Sequence, residues 1–160
     1  MRLIAFSDTH GNLASADRIF ALNPACDHFF FLGDGLDELE VIKAKYPDKK
    51  IYSVLGNCDK PGTAPAAAVV ELFRTKIYMT HGHLCSVRDS TEQLVANAKK
   101  EGATMILFGH THCRYLEQEN GGLCILNPGS AAQPKDHLPP AYAFIDITPC
   151  GISCVHVDLT

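Results

Sequence analysis

The sequence predicts an α/β fold of two sheets, each carrying helices on its outer face. Three observations predict it. Residues 1–55 alternate apolar strand-like runs with helix-period segments, the order that builds a parallel sheet with crossover helices. Residues 66–158 pair short strand-like runs through tight turns, the order of antiparallel hairpins. At 160 residues, 46% hydrophobic and 20% charged, the chain suits one domain over 1–160 that buries its own core.

Residues 1–7 read as a buried strand, after which "NLASADRIFALN" spaces its apolar residues for a helix and stops at Pro24. "DHFFFLG" is the second strand. "LDELEVIKAKYP" is the second helix, with acidic residues first and lysines last, as the helix dipole favours. "KKIYSVLGN" is the third strand. After "CDKPGTAPA", the runs "AVVELF" and "KIYMTHG" form a hairpin across Arg74 and Thr75. A helix over about 89–101 leads into "TMILFGH". "CRYLEQE" and "LCILNPG" pair across Gly121 and Gly122, and "AYAFIDI" with "ISCVHVDL" forms the last hairpin. The second half is therefore expected to be mostly antiparallel, and no internal repeat or low-complexity tract breaks the order.

Composition excludes several functions. The formal charge is −4, and Arg2, Arg18, Arg74, Arg88 and Arg114 are scattered, so no basic stripe exists to grip a nucleic acid. The N-terminal apolar stretch is too short for a signal sequence, and no run approaches membrane-spanning length. Seven cysteines, an odd number widely spaced, read as reduced thiols in a cytoplasmic protein. Cys150 and Cys154 lack the second pair a zinc site needs and are expected to pack structurally. Association into a homodimer or higher oligomer stays open.

The chemistry gathers at strand ends. Asp8 and His10 follow the first strand, Asp34 the second and Asn57 the third; His81 ends a later strand, and His110 and His112 end the one before Cys113. Each alone reads as a turn residue or a surface histidine. Together they place carboxylates, imidazoles and a carboxamide at one sheet edge, where open α/β sheets bind ligands. Two aspartates, four histidines and an asparagine exceed what one tetrahedral ion accepts, but suit two ions sharing a carboxylate. The donors are oxygen and nitrogen, so Mn, Fe, Ni, Co or Zn fits better than a soft ion. Two such cations about 3.5 to 4 Å apart would polarise a bridging water into hydroxide and hold phosphoryl oxygens for in-line attack.

The ordered segments "DTH", "GD", "GN.D", "HGH" and "GHTH", with the later "NPGS", resemble the motif set of the calcineurin-like metallophosphoesterase superfamily. Small size and the form "GNCD" are most similar to its single-domain prokaryotic phosphodiesterase branch, the YfcE-like proteins. The resemblance implies a four-layer α/β/β/α sandwich of two mixed sheets flanked by helices. It implies two divalent ions, Mn first, with Ni, Fe, Zn, Co or Mg as the alternatives. Asp8, His10 and His112 resemble the ligands of one ion, Asn57, His81 and His110 those of the other, with Asp34 bridging. The implied activity is hydrolysis of a small phosphodiester or phosphomonoester, with Asp34, Asn57 and His83 in the catalytic set. On the same fold, a metal-binding interaction scaffold with little catalysis is the alternative.

One departure matters. Many superfamily members resemble each other in a histidine after the motif asparagine, thought to protonate the leaving oxygen, where this chain has Cys58. A thiol of pKa about 8.5 is a poor substitute for imidazole in that task. His83 is the candidate acid or phosphate contact, Asp59 a residue that orients a ligand or caps a turn, and Cys85 and Cys113 are expected to pack beneath the motifs. His28, His137 and His156 read as structural or surface residues. Two ions, two aspartates and a hydroxide leave about +1 for substrate. With no arginine inside the motifs, that balance favours diesters.

Overall fold

The sheet order follows from where apolar residues alternate. The computed structural model describes residues 1–118 and 122–159, so Gly121, half of the glycine turn expected from the sequence, lies outside the described residues. The first sheet takes β1 (Arg2–Phe6), β2 (His28–Phe31) and β3 (Lys50–Ser53), joined through α1 (Leu13–Leu22) and α2 (Leu36–Lys45). The second takes β4 (Ala67–Leu72), β5 (Thr75–Thr80), β6 (Met105–Leu107), β7 (Arg114–Gln118) and β8 (Cys124–Pro128), with α3 (Glu92–Lys100) between β5 and β6. β9 (Ala141–Thr148) and β10 (Gly151–Asp158) return to the first sheet. The orders are β10-β9-β1-β2-β3 and β4-β5-β6-β8-β7.

Strands buried on both faces need apolar residues at odd and even positions alike. In β1, Leu3 and Ala5 enter the core between the sheets, while Ile4 and Phe6 pack under α1 and α2. In β6, Met105 and Leu107 face the other sheet and Ile106 faces α3 beside Leu94 and Ala98. Three apolar interfaces therefore separate four layers, α/β/β/α. Phe20 of α1 stacks on Phe29 of β2 with ring centroids 3.9 Å apart, and Asn12 caps α1 by accepting the Ser15 amide at 3.0 Å.

The strands β1, β2 and β3 run parallel as expected. In the second half the hairpins β4-β5, β7-β8 and β9-β10 are antiparallel, but β6 pairs parallel to both β5 and β8. Three local expectations need correction. Leu72 pairs with Thr75, so the β4-β5 turn is Phe73-Arg74. Both residues have positive φ, 49° and 63°, the twist a two-residue hairpin needs, here without the asparagine or glycine that usually signals it. The helix expected over about 89–101 begins only at Glu92, because a single 3-10 turn at His83–Cys85 and the turn over 86–89 after it use the preceding residues. Cys150 is exposed in the β9-β10 turn rather than packed; Cys154 instead meets Cys124 across the sheets, sulfur to sulfur at 3.6 Å. Among the described residues, no helix is long and apolar enough to cross a membrane.

Candidate metal centre

Parallel strands point their C-terminal ends one way, so the loops after β1, β2, β3, β5, β6 and β8 meet at one edge. Backbone bonds lock the first two loops together: the Asp8 amide donates to Gly33 O and the His10 amide to Asp34 O, both at 3.0 Å. The His110 amide donates to Asp8 Oδ2 at 3.2 Å, tying the β6 loop to the β1 loop. All seven residues expected as ligands come from these loops.

Asp8 and His81 are fully buried, and Asp34 and His112 are only 2% and 5% exposed. Among the described residues, Asp8 Oδ1 has no hydrogen-bond donor. It lies 3.2 Å from His112 Nε2, 3.8 Å from His10 Nε2 and 4.0 Å from His81 Nε2. Asp34 Oδ2 lies 3.3 Å from His81 Nε2 and 3.7 Å from His10 Nε2. Asn57 Oδ1 approaches His81 Nε2 to 3.2 Å. The His110 ring sits beside those of His81 and His83, at centroid separations of 5.1 and 6.2 Å. The two imidazoles of "GHTH" thus turn to different neighbours, His112 to His10 and Asp8, His110 to His81.

Tautomers decide what this cluster wants. His81 Nδ1 lies 2.6 Å from Leu32 O, and His112 Nδ1 lies 2.7 Å from Gln133 O. A carbonyl can only accept, so both Nδ1 atoms carry hydrogen and both neutral rings present a bare Nε2. Those lone pairs face carboxylate oxygens and, for His112, the His10 Nε2 at 3.1 Å. Such acceptors hold together only around a proton or a cation. Consistently, the facing Asp8 carboxylate, which favours a proton on Nε2, raises the His112 pKa; burial pulls that of His81 down, but Asp34 and Asp8 outweigh it and hold it raised. Three overlapping sets, Asp8-His10-His112, Asp8-Asp34-His81 and His10-Asp34-Cys58, each bring their ligand atoms within 4.8 Å of one another. Oxygen and imidazole donors fit a borderline divalent ion.

Burial, with the nearby charges of His81 and Arg88, takes the His110 pKa down to about 4. Burial and His81 also lower that of His83, whose Nδ1 is buried without a partner. Both rings are neutral at pH 7. Burial opposes ionisation of Asp34, but His81, when Nε2 carries a proton, and the Cys58 amide, which donates to Oδ1, hold its carboxyl well below the usual range. Burial and Asp34 push the Cys58 thiol up, so it is protonated and no nucleophile at neutral pH.

Among the described residues, five of the nine non-glycine residues with positive φ are expected ligands: Asp8 (56°), His10 (44°), Asp34 (60°), His110 (67°) and His112 (60°). Left-handed backbone turns each side chain back over the sheet edge, at about 1 kcal/mol apiece. Gly109, which precedes the pair, does not supply that turn, because its φ is not positive. It is small because a Cβ there would lie 2.2 Å from Ser7 Oγ. His110→Gly is expected to raise the melting temperature of metal-free protein by about 2–4 °C, by removing about 1 kcal/mol of backbone cost. A lower melting temperature in differential scanning calorimetry would contradict that cost.

Asp59, expected to orient a ligand or cap a turn, does both: it accepts four amides at 2.8–2.9 Å, from Asp34, Gly35, Leu36 and Gly56. Sequence reasoning missed the other supports. Glu38 binds the Gly11 amide and Thr9 Oγ1. Ser130 donates to Asp8 O at 2.8 Å, and Asn127 donates to Gly109 O at 2.8 Å. Arg88 brings a positive charge to His110 that the motif-based charge count left out. Cys85 is buried, Cys113 half-buried, His28 stacks on Tyr52, and His156 donates to Asn127 O.

The model of the calcineurin-like phosphoesterase superfamily domain matches residues 1–149. The chain is 32% identical over 149 residues to the probable metallophosphoesterase YsnB of Bacillus subtilis, across 92% of this chain and 85% of that protein. It is 30% identical over 170 residues to phosphodiesterase YfcE of Escherichia coli K12, across 91% and 88%. Over 116 residues it is 32% identical to vacuolar protein sorting-associated protein 29 of Schizosaccharomyces pombe, across 68% and 60%. A solved predicted phosphoesterase from Streptococcus pneumoniae TIGR4 matches with TM-score 0.79 and 28% identity, over 98% of this chain and 97% of that one.

Proposed function

The chain belongs to the calcineurin-like phosphoesterase superfamily, and from that premise we propose that it is a two-metal phosphodiesterase acting on small diesters. The observation that carries this reading is the buried, donorless Asp8 Oδ1 facing the Nε2 atoms of His10, His81 and His112. Asp8, His10 and His112 would hold one ion, Asn57, His81 and His110 the other, with Asp34 shared. Two divalent ions, Mn first, would supply Lewis acidity at phosphoryl oxygens and a strong nucleophile from water at neutral pH.

The chain's own residues do the rest. The Nδ1–H bonds of His81 and His112 to backbone carbonyls fix both rings, so their Nε2 atoms need no reorganisation. His83, neutral beside His81 and His110, serves as an N–H donor to a phosphoryl oxygen rather than as an acid. Cys58 is a weak acid where imidazole would be strong. Substrates whose leaving group departs unprotonated should therefore react fastest.

The test is hydrolysis of bis(p-nitrophenyl) phosphate against p-nitrophenyl phosphate by metal-stripped protein, with Mn, Ni, Zn and Mg restored singly. Mn-restored cleavage, faster on the diester, is the expected result. Equal or faster monoester cleavage would overturn the charge argument and turn attention to Arg88. The likeness to vacuolar protein sorting-associated protein 29 favours a second reading, a metal-binding interaction scaffold. Two bound ions with no turnover would support that one.

A further inference from the structure

The geometry points to Cys58 as a metal ligand: its thiolate joins His10 and Asp34 around a thiophilic divalent cation, so that sulfur selects the class of ion held there. This rests on the proposed metal centre and adds to it a donor of different chemistry. The Cys58 sulfur, a His10 ring nitrogen and an Asp34 carboxylate oxygen lie within 4.8 Å of one another. The Cys58 amide donates to Asp34 Oδ1 at 2.8 Å, which pins the residue's backbone to the carboxylate. Its side chain is exposed at that edge. Asn57 Nδ2 donates to the sulfur at 3.3 Å, a contact that favours the thiolate.

The surroundings aim at the same space. Asp8 Oδ1, fully buried and without a donor, lies 3.8 Å from His10 Nε2. Cys58, His10 and Asp34 line a cleft of about 300 Å³ through which an ion can enter. On ligation the S–H bond breaks and its proton passes to solvent, leaving a thiolate on the cation. Thiolate prefers zinc-class ions to magnesium or manganese. The other side chains of the proposed centre offer only nitrogen and oxygen. A sulfur at this corner therefore makes the centre discriminate between ions of equal charge.

Cobalt(II) added to metal-stripped full-length protein reads the sulfur directly. A near-ultraviolet sulfur-to-cobalt charge-transfer band is expected in the wild type and in Cys113→Ser, and its loss is expected in Cys58→Ser. Zinc affinity, from chelator competition, should fall about tenfold or more in Cys58→Ser, a larger loss than for manganese, and should stay at the wild-type value in Cys113→Ser. Visible cobalt bands without the charge-transfer band, or a band that survives in Cys58→Ser, would overturn the sulfur ligand while leaving the metal centre standing. No cobalt binding at all would overturn both.

Discussion

Asp34→Ala is expected to lower metal-restored diester hydrolysis on the order of 10³-fold, the effect of losing several kcal/mol of charge stabilisation at the reacting phosphate. Three contacts motivate the size. Asp34 Oδ2 faces both His10 and His81, and Oδ1 accepts the Cys58 amide. Alanine removes the carboxylate common to both halves of the cluster and leaves that amide without its acceptor. Asp34→Asn keeps the shape and the Cys58 contact but drops the charge, so it should lose activity nearly as far while staying folded. Bound metal per chain, measured with kcat/KM, separates lost ions from lost chemistry. Activity within tenfold of wild type in Asp34→Ala would remove this residue from the mechanism.

The second large effect is on stability. Asp59→Ala strips the acceptor from four amides at once. At about 1 kcal/mol for each bond to a charged, partly exposed acceptor, the loss is about 4 kcal/mol. For a chain of this size the melting temperature should fall on the order of 10 °C. Two of those amides begin α2, whose N-cap is Gly35 and has no side chain to offer; Asp59 does that work from another loop. Because the Asp34 amide is among the four, metal affinity should also drop about 10- to 100-fold. Asp59→Asn, retaining one carbonyl oxygen, should recover part of both. A melting shift of only a degree or two would mean that water replaces the carboxylate at little cost.

The fold was legible wherever period and punctuation agreed. The apolar runs of β1, β2 and β6 and the helix signals around Asn12, Pro24 and Pro47 needed nothing beyond the chain itself. Turn geometry was less legible, because Phe73 and Arg74 adopt a left-handed hairpin with none of the residues that usually mark one. The expected ligands were chosen from residue type and position at strand ends, and the structure brings all seven to one edge. Their conformations were not, since glycine is the usual sign of positive φ and here aspartate and histidine take it. Asp59, Glu38 and Ser130 act through backbone amides and carbonyls of distant loops, and a backbone group leaves no trace in a sequence.

Each half of the proposed centre draws on both sheets: Asp8 and His10 from the β1 loop with His112 from the β6 loop, and Asn57 from the β3 loop with His81 and His110. An ion held there rivets two layers that otherwise meet through an apolar core and a few hydrogen bonds, such as those of the His110 amide and Ser130 to Asp8. The sheets of the metal-free protein can breathe apart at this edge as separate cooperative units, whereas the loaded protein must release an ion first. Hydrogen exchange at Leu32 and Leu107, on opposite walls of the inter-sheet core, should then slow together on metal addition. Unequal slowing would mean that the seam is closed by packing alone.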